Sequence, residues 1–128
     1  MRAWTSEELD KIGGAEELQL ACARPDGMMR PYVTIWVVRA GDDLFVRSAY
    51  GPYNPWFRRA KASGAGRIQA AGLERDVVFA EADPGVHDAL DAAYHAKYDR
   101  HGPKIVGPVV GPEIEALTIR LLPRTAES

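Results

Sequence analysis

A chain of 128 residues with 46% apolar side chains can bury one core and no more. Sixteen basic residues set against 18 acidic ones leave a formal charge of −2, which gives no general field to draw nucleic acid or an anionic membrane, so any anion site must be local. One cysteine, Cys22, excludes an intramolecular disulfide and a thiolate metal cluster. No stretch approaches the apolar length that spans a bilayer, and the charged start MRAWTSEELD lacks the apolar run of a signal peptide. The expectation is a single domain over residues 1–128 in a reducing, cytoplasmic compartment, without nucleic-acid or membrane partners.

Thr5 and Glu8 have capping-box spacing, with Trp4 and Leu9 placed as a hydrophobic staple, predicting a helix over 6–13 that Gly13-Gly14 stops. Residues 16–23 (EELQLACA) read as a strand. After a turn centred on Pro-Asp-Gly, the β-branched and aromatic run YVTIWVV returns, so the two are predicted to form a hairpin. RAGDD is the next turn, and LFVRS a third strand that puts Leu44, Val46 and Ser48 on one face and Phe45 and Arg47 on the other. Asn54 as N-cap and Pro55 at the first helical position predict a helix from 55 to about 63, ended by Gly64. GRIQAAG and RDVVFAEA form a second hairpin around Ala71-Gly72.

Asp83-Pro84 repeats the cap-plus-proline signal, and Val86, Leu90, Ala93, Tyr94 and Lys97 recur at helical intervals up to Tyr98. Three prolines and three glycines in GPKIVGPVVGPE argue against a regular element at 102–113, and ALTIRLLPR closes the chain as a strand. About six short strands paired as hairpins, with two to three helices, make a mainly β (α+β) protein: a small antiparallel barrel with helical insertions.

The run RPYVTIWVVRAGDDLFVRSAYG, followed by WFRRAKASGAGRIQAAGLERDVVF, resembles the bacterial domain-of-unknown-function family 2255. That family lies in the FMN-binding split-barrel superfamily, with the pyridoxamine phosphate oxidases and the deazaflavin-dependent reductases, and the resemblance spans about residues 4–124. It implies a split β-barrel that binds FMN or a deazaflavin and acts as an oxidoreductase on a small organic substrate. It also implies a homodimer, because many relatives build the site across a two-fold interface. In the superfamily the hairpin matching 31–48 walls the flavin site and the next segment holds the phosphate. The matching positions are Arg47, Ser48, Tyr50 and Gly51, with Trp56 and Arg59 on the following helix. The chain keeps Ser48, Pro55 and Trp56 of the deazaflavin-reductase pattern. It departs from it with Ala49-Tyr50 in place of a basic residue, with one glycine in place of two, and with Arg58 or Arg59 in place of an asparagine.

The residues themselves support an anion site at this bend. Unpaired first amides sit at the positive end of a helix dipole, Ser48 and Tyr50 carry hydroxyls, and arginine forks match phosphate oxygens. Trp36, Tyr53 and Trp56 are flat apolar surfaces such as a ring system needs, although core packing is the more ordinary role for Trp36. The competing account makes Arg58, Arg59 and Lys61 the solvated face of a helix packed through Trp56, Phe57 and Ala60. It belongs with a second function: a cofactor-free barrel that binds a small ligand or a partner protein without turnover.

No catalytic residue and no metal ligand set is assigned. Gly64-Ala65-Gly66 follows a helix and reads as a loop, not a dinucleotide fingerprint. His87, His95 and His101 read as surface histidines, and Tyr94, His95, Lys97, Tyr98 and Arg100 as side chains able to cap the cleft. Ser48 and Ser63 lack a nucleophile elbow, and Cys22 reads as an inert buried thiol.

Overall fold

A computed structural model describes residues 4–49 and 53–124. Helix α1 (Ser6–Gly14) begins with the capping box: the Glu8 amide donates to Thr5 Oγ1 at 3.1 Å and the Thr5 amide to Glu8 Oε1 at 2.9 Å. Strands β1 (Leu18–Cys22), β2 (Val33–Ile35), β3 (Val38–Ala40) and β4 (Asp43–Arg47) follow. Helix α2 (Pro55–Ser63) starts at its proline and stops where Gly64 turns left-handed at φ 72. Strands β5 (Ala65–Ala70) and β6 (Leu73–Glu81) turn at Ala71 and Gly72, both at positive φ, the reversal whose twist suits a two-residue hairpin. After a 3-10 turn at Pro84–Val86 come α3 (His87–Tyr98) and the last strand, β7 (Thr118–Pro123).

All seven strands join one antiparallel sheet in the order β2-β1-β5-β6-β7-β4-β3. Its two edges, β2 and β3, are consecutive in the chain and separated by only Trp36 and Val37. At about 3.3 Å per residue that link reaches roughly 10 Å, so the sheet has to curl until its edges nearly meet. This corrects the predicted hairpin. YVTIWVV is not one strand: Val33–Ile35 pair with Leu18–Leu20 of β1, whereas Val38–Ala40 pair with Asp43–Phe45 of β4. β-propensity runs unbroken through the segment, and closure of the barrel breaks it. Val37 at the break is fully buried, and its amide donates to the Tyr98 hydroxyl at 3.3 Å.

Alternation along β4 divides the interior in two. Leu44 and Val46 point into the barrel with Leu18, Leu20, Ile68, Val77 and Leu121, closed at its ends by Leu9 and Ile12 of α1 and by Trp56 and Phe57 of α2. Phe45 faces the other way, into a second cluster with Leu90, Tyr94 and Tyr98 of α3 and with Val106 and Val109. Gly66 in β5 lies so close to β1 that a Cβ there would sit 2.1 Å from the Ala21 carbonyl oxygen. The Gly/Pro-rich stretch also departs from expectation. It forms helical turns at Pro103–Val106, Gly107–Val109 and Pro112–Leu117, each opening where a proline's missing amide hydrogen costs nothing.

Candidate functional site

A cleft of about 350 Å³ opens where β2, the end of β4 and the start of α2 converge. One side is Val33, Thr34, Ile35 and Trp36; the other is Ala49, Asn54 and Trp56, with Ile105 and Val109 forming a third wall and Glu17 adding a carboxylate to the lining. The size and the mainly apolar lining are those of a small-ligand site. Trp36 is held flat by Tyr98, whose ring stacks on it at 3.8 Å and 2°. Tyr98 is in turn fixed by its hydroxyl, 2.6 Å from the Glu16 carbonyl oxygen and 3.0 Å from that of Val37. Trp36 is therefore a cleft wall backed by core, where the sequence ranked core packing above contact with a ring.

The start of α2 is electrostatically open. Asn54 is the N-cap, yet its side chain makes no capping bond, and the first turn contains no acidic residue. Among the described residues no side chain caps these amides, which lie at the positive end of the helix dipole, the end that favours an anion.

The predicted site residues fall in different places. Trp56 lines the cleft and packs edge-on against Phe57. Ser48 is fully buried, and its amide donates to the Leu117 carbonyl at 3.1 Å. Arg59 lies on the exposed face of α2, outside the residues that line the cleft. Tyr50 and Gly51 lie outside the described residues.

Arg47 shares the α3 side of the sheet with Phe45, and protein groups take up its guanidinium. Nε donates to Thr118 Oγ1 at 2.9 Å, and Nη1 to Asp91 Oδ1 at 2.6 Å and to the Val109 carbonyl at 2.7 Å. Nη2 lies 3.3 Å from His87 Nδ1, and the guanidinium carbon sits 5.4 Å from the centre of the Tyr94 ring. The Arg47 side chain is 0% exposed although the residue retains 3%, so what it presents to the cleft is backbone.

His87 is thus not the surface histidine the sequence suggested. It is buried on the face of α3 that also carries Leu90, Tyr94 and Tyr98. Its spacing of three from Leu90 was a usable signal, masked by Val86 reading as the first apolar position. Asp91 and Thr118, the partners of Arg47, carried no such signal.

His95 and His101 pair with Asp99 and Glu16, each at 2.8 Å, and Arg100 also bonds Glu16. Lys97 donates to the carbonyls of Gly13 at 2.8 Å and Val37 at 2.6 Å, and burial draws its pKa down to about 8. None of Tyr94, His95, Lys97, Tyr98 and Arg100 is in the cleft lining; Tyr98 reaches it only through Trp36. Cys22 is buried, its thiol pushed up to about 11 by desolvation and bonded to the Trp56 carbonyl at 3.5 Å. Among the described residues no group of three or more His, Cys, Asp or Glu is placed to hold a metal ion, and no helix is long and apolar enough to cross a membrane.

An antiparallel sheet curled until its edge strands follow one another in the chain, with a ligand-sized cleft beside a helix start, defines a split barrel. The chain belongs to the family DUF2255, described as an uncharacterized protein conserved in bacteria, whose profile matches residues 8–121. No curated protein matches the sequence significantly.

Solved structures share the fold at low identity. The heme storage protein HutZ from Vibrio cholerae is 17% identical, with a TM-score of 0.65 over 98% of this chain and 93% of that one. A FAD-binding protein from Mesorhizobium loti is also 17% identical, with a TM-score of 0.59 over 97% and 93%. An F420 reductase is 21% identical, with a TM-score of 0.54 over 92% and 93%.

Proposed function

We propose that this chain binds FMN or a deazaflavin in the cleft and acts as a flavin-type oxidoreductase on a small organic substrate, working as a homodimer in the cytoplasm. The observation that carries the reading is the meeting of two tryptophan walls, Trp36 and Trp56, with the uncapped start of α2. A planar ring fits the first and a phosphate the second. Structural neighbours described as a FAD-binding protein and an F420 reductase support it at the level of fold.

The bound ring would supply hydride chemistry, and the chain would supply binding, orientation and exclusion of water. Trp56 and the α2 amides would contact the cofactor, with Ser48, Tyr50 and Gly51 shaping the bend and Arg59 adding charge one turn along the helix. Arg47 would support the wall from behind. Ile105 beside the cleft is 53% exposed and Tyr53, next to Asn54, is 81% exposed, which favours cover by a second copy.

The test is an absorption spectrum of the purified protein, with thermal-shift titrations of FMN, FAD, deazaflavin and haem and a light-scattering mass. A bound chromophore, or a shift with FMN or the deazaflavin, is expected. No chromophore and no shift with any of the four would overturn the proposal.

One observation favours the second reading. The only cation among the described lining residues, Arg47, is neutralised by Asp91. A cofactor-free barrel taking an uncharged ligand would leave the cleft in this state.

A further inference from the structure

We infer that the Arg47–Asp91 ion pair is a latch. It holds segment 103–111 in place as the third wall of the cleft, so that the two side chains position the ligand site without touching the ligand. The inference rests on the cleft being a ligand site, but its first two readouts need no ligand.

Segment 103–111 contributes Ile105 and Val109 to the cleft. Its own backbone bonds are local: Ile105 and Val106 donate back to Gly102, and Val110 to Gly107. Among the described residues, two side-chain hydrogen bonds reach the segment from elsewhere in the fold, and both end on this pair. Arg47 Nη1 donates to the Val109 carbonyl at 2.7 Å, and the Gly111 amide donates to Asp91 Oδ2 at 3.2 Å. The other carboxylate oxygen, Oδ1, accepts from Arg47 at 2.6 Å, which closes the circuit from β4 through α3 to the segment.

On the apolar side Val106 and Val109 are buried in the second cluster. Against that hold stands the conformational freedom of Gly107 and of Gly111, which sits at φ 98. The charge-assisted bonds of an Arg47 side chain that is 0% exposed are directional, so they fix where the Val109 and Gly111 backbone sits, which non-directional apolar contact does not. Asp91, at 28% exposed, is the half of the latch that water can reach.

The test compares the parent chain with Asp91→Asn, Asp91→Glu and Thr118→Val. Asp91→Asn removes the charge and turns one of the two acceptors into a donor. Thr118→Val takes the Nε partner from Arg47 and the donor from the Ile114 carbonyl, and leaves in place both bonds from the pair to 103–111. In Asp91→Asn, amide exchange across 103–111, Gly111 above all, should rise about tenfold or more while β5 and β6 keep their protection. Acrylamide should quench tryptophan fluorescence more strongly, because Trp36 and Trp56 line the loosened cleft whereas Trp4 is buried with its Nε1 bonded to the Leu121 carbonyl. Asp91→Glu should recover part of both, and Thr118→Val should show neither. With FMN as probe, Asp91→Asn should bind about tenfold more weakly.

Parent-like exchange and quenching in Asp91→Asn, or equal increases in Thr118→Val, would refute the latch. If Asp91→Asn melts below the assay temperature, Asp91→Glu is read against Thr118→Val on the same criteria. Exchange and quenching that respond as expected, in a parent chain that takes up none of FMN, FAD, deazaflavin and haem, would overturn the flavin reading and leave the latch standing.

Discussion

Lys97 joins the helix layer to the barrel at the break between β2 and β3, and replacing it by methionine tests that junction. Its ammonium donates to Gly13 and Val37 carbonyls and lies 5.1 Å from the centre of the Tyr98 ring. Burial nevertheless dominates, lowering the pKa from the ordinary 10.5 to about 8. Between those values the unfolded chain keeps a proton that the folded chain has released. The stability contributed by Lys97 therefore rises with pH across that window, and is lost as pH falls through 8. The interval from 10.5 to about 8, at about 1.4 kcal/mol per pH unit, sets a ceiling near 3 kcal/mol. Solvent screening of a part-buried group reduces it to about 1–2 kcal/mol.

Cys22 works in the opposite sense. Its raised value means that stability falls from about pH 9 to 11, so the parent's profile alone is ambiguous. The difference between parent and Lys97→Met is not. Urea unfolding at pH 7.5 and 10 should show the parent's advantage growing by about 1–2 kcal/mol over the interval. A difference independent of pH would show that Lys97 is not desolvated and would refute the reasoning.

Gly66→Ala should destabilise the fold by about 3 kcal/mol in chemical denaturation, because the new Cβ meets the Ala21 carbonyl 2.1 Å away and a central strand has to move; a loss below about 1 kcal/mol would contradict the close approach. Asn54→Asp should act in two directions at once. A carboxylate at the open N-cap stabilises α2 by about 0.5–1 kcal/mol in thermal unfolding while weakening FMN in titration, and a gain in FMN affinity would remove the phosphate from this helix. Arg59→Ala should weaken FMN by about 0.5–1 kcal/mol, the scale of an exposed charge outside the cleft lining, and leave riboflavin, which lacks the phosphate, unchanged. Equal loss for both ligands in isothermal titration would make Arg59 a surface charge with no part in phosphate binding.

How much of the site could be read in advance depends on how far apart its partners lie. The start and stop of α2 were legible, because Pro55 and Gly64 act within one turn of themselves, although Asn54 holds the N-cap position without a capping bond, and Trp56 lines the cleft beside that start. The alternation along LFVRS correctly put Arg47 on the face away from Leu44 and Val46. What covers that face was not legible. The groups that receive Arg47 lie 44, 62 and 71 positions away, at Asp91, Val109 and Thr118. An arginine expected to face a phosphate is thereby spent inside the protein.

The sequence by itself determined the local elements: the capping box of α1, the proline start and glycine stop of α2, the Ala71-Gly72 reversal and the apolar face of α3. The first three are stabilised by contacts a few residues apart, and the face of α3 follows from the helical repeat of its own residues, so each is written in a short window. Tertiary structure alone decided that YVTIWVV would divide between the two edges of the sheet and that 102–113 would become a wall of the cleft. Those outcomes follow from closing a curled sheet and from satisfying the buried charge of Arg47. Both conditions involve the whole chain at once and leave no signature in any one stretch of it.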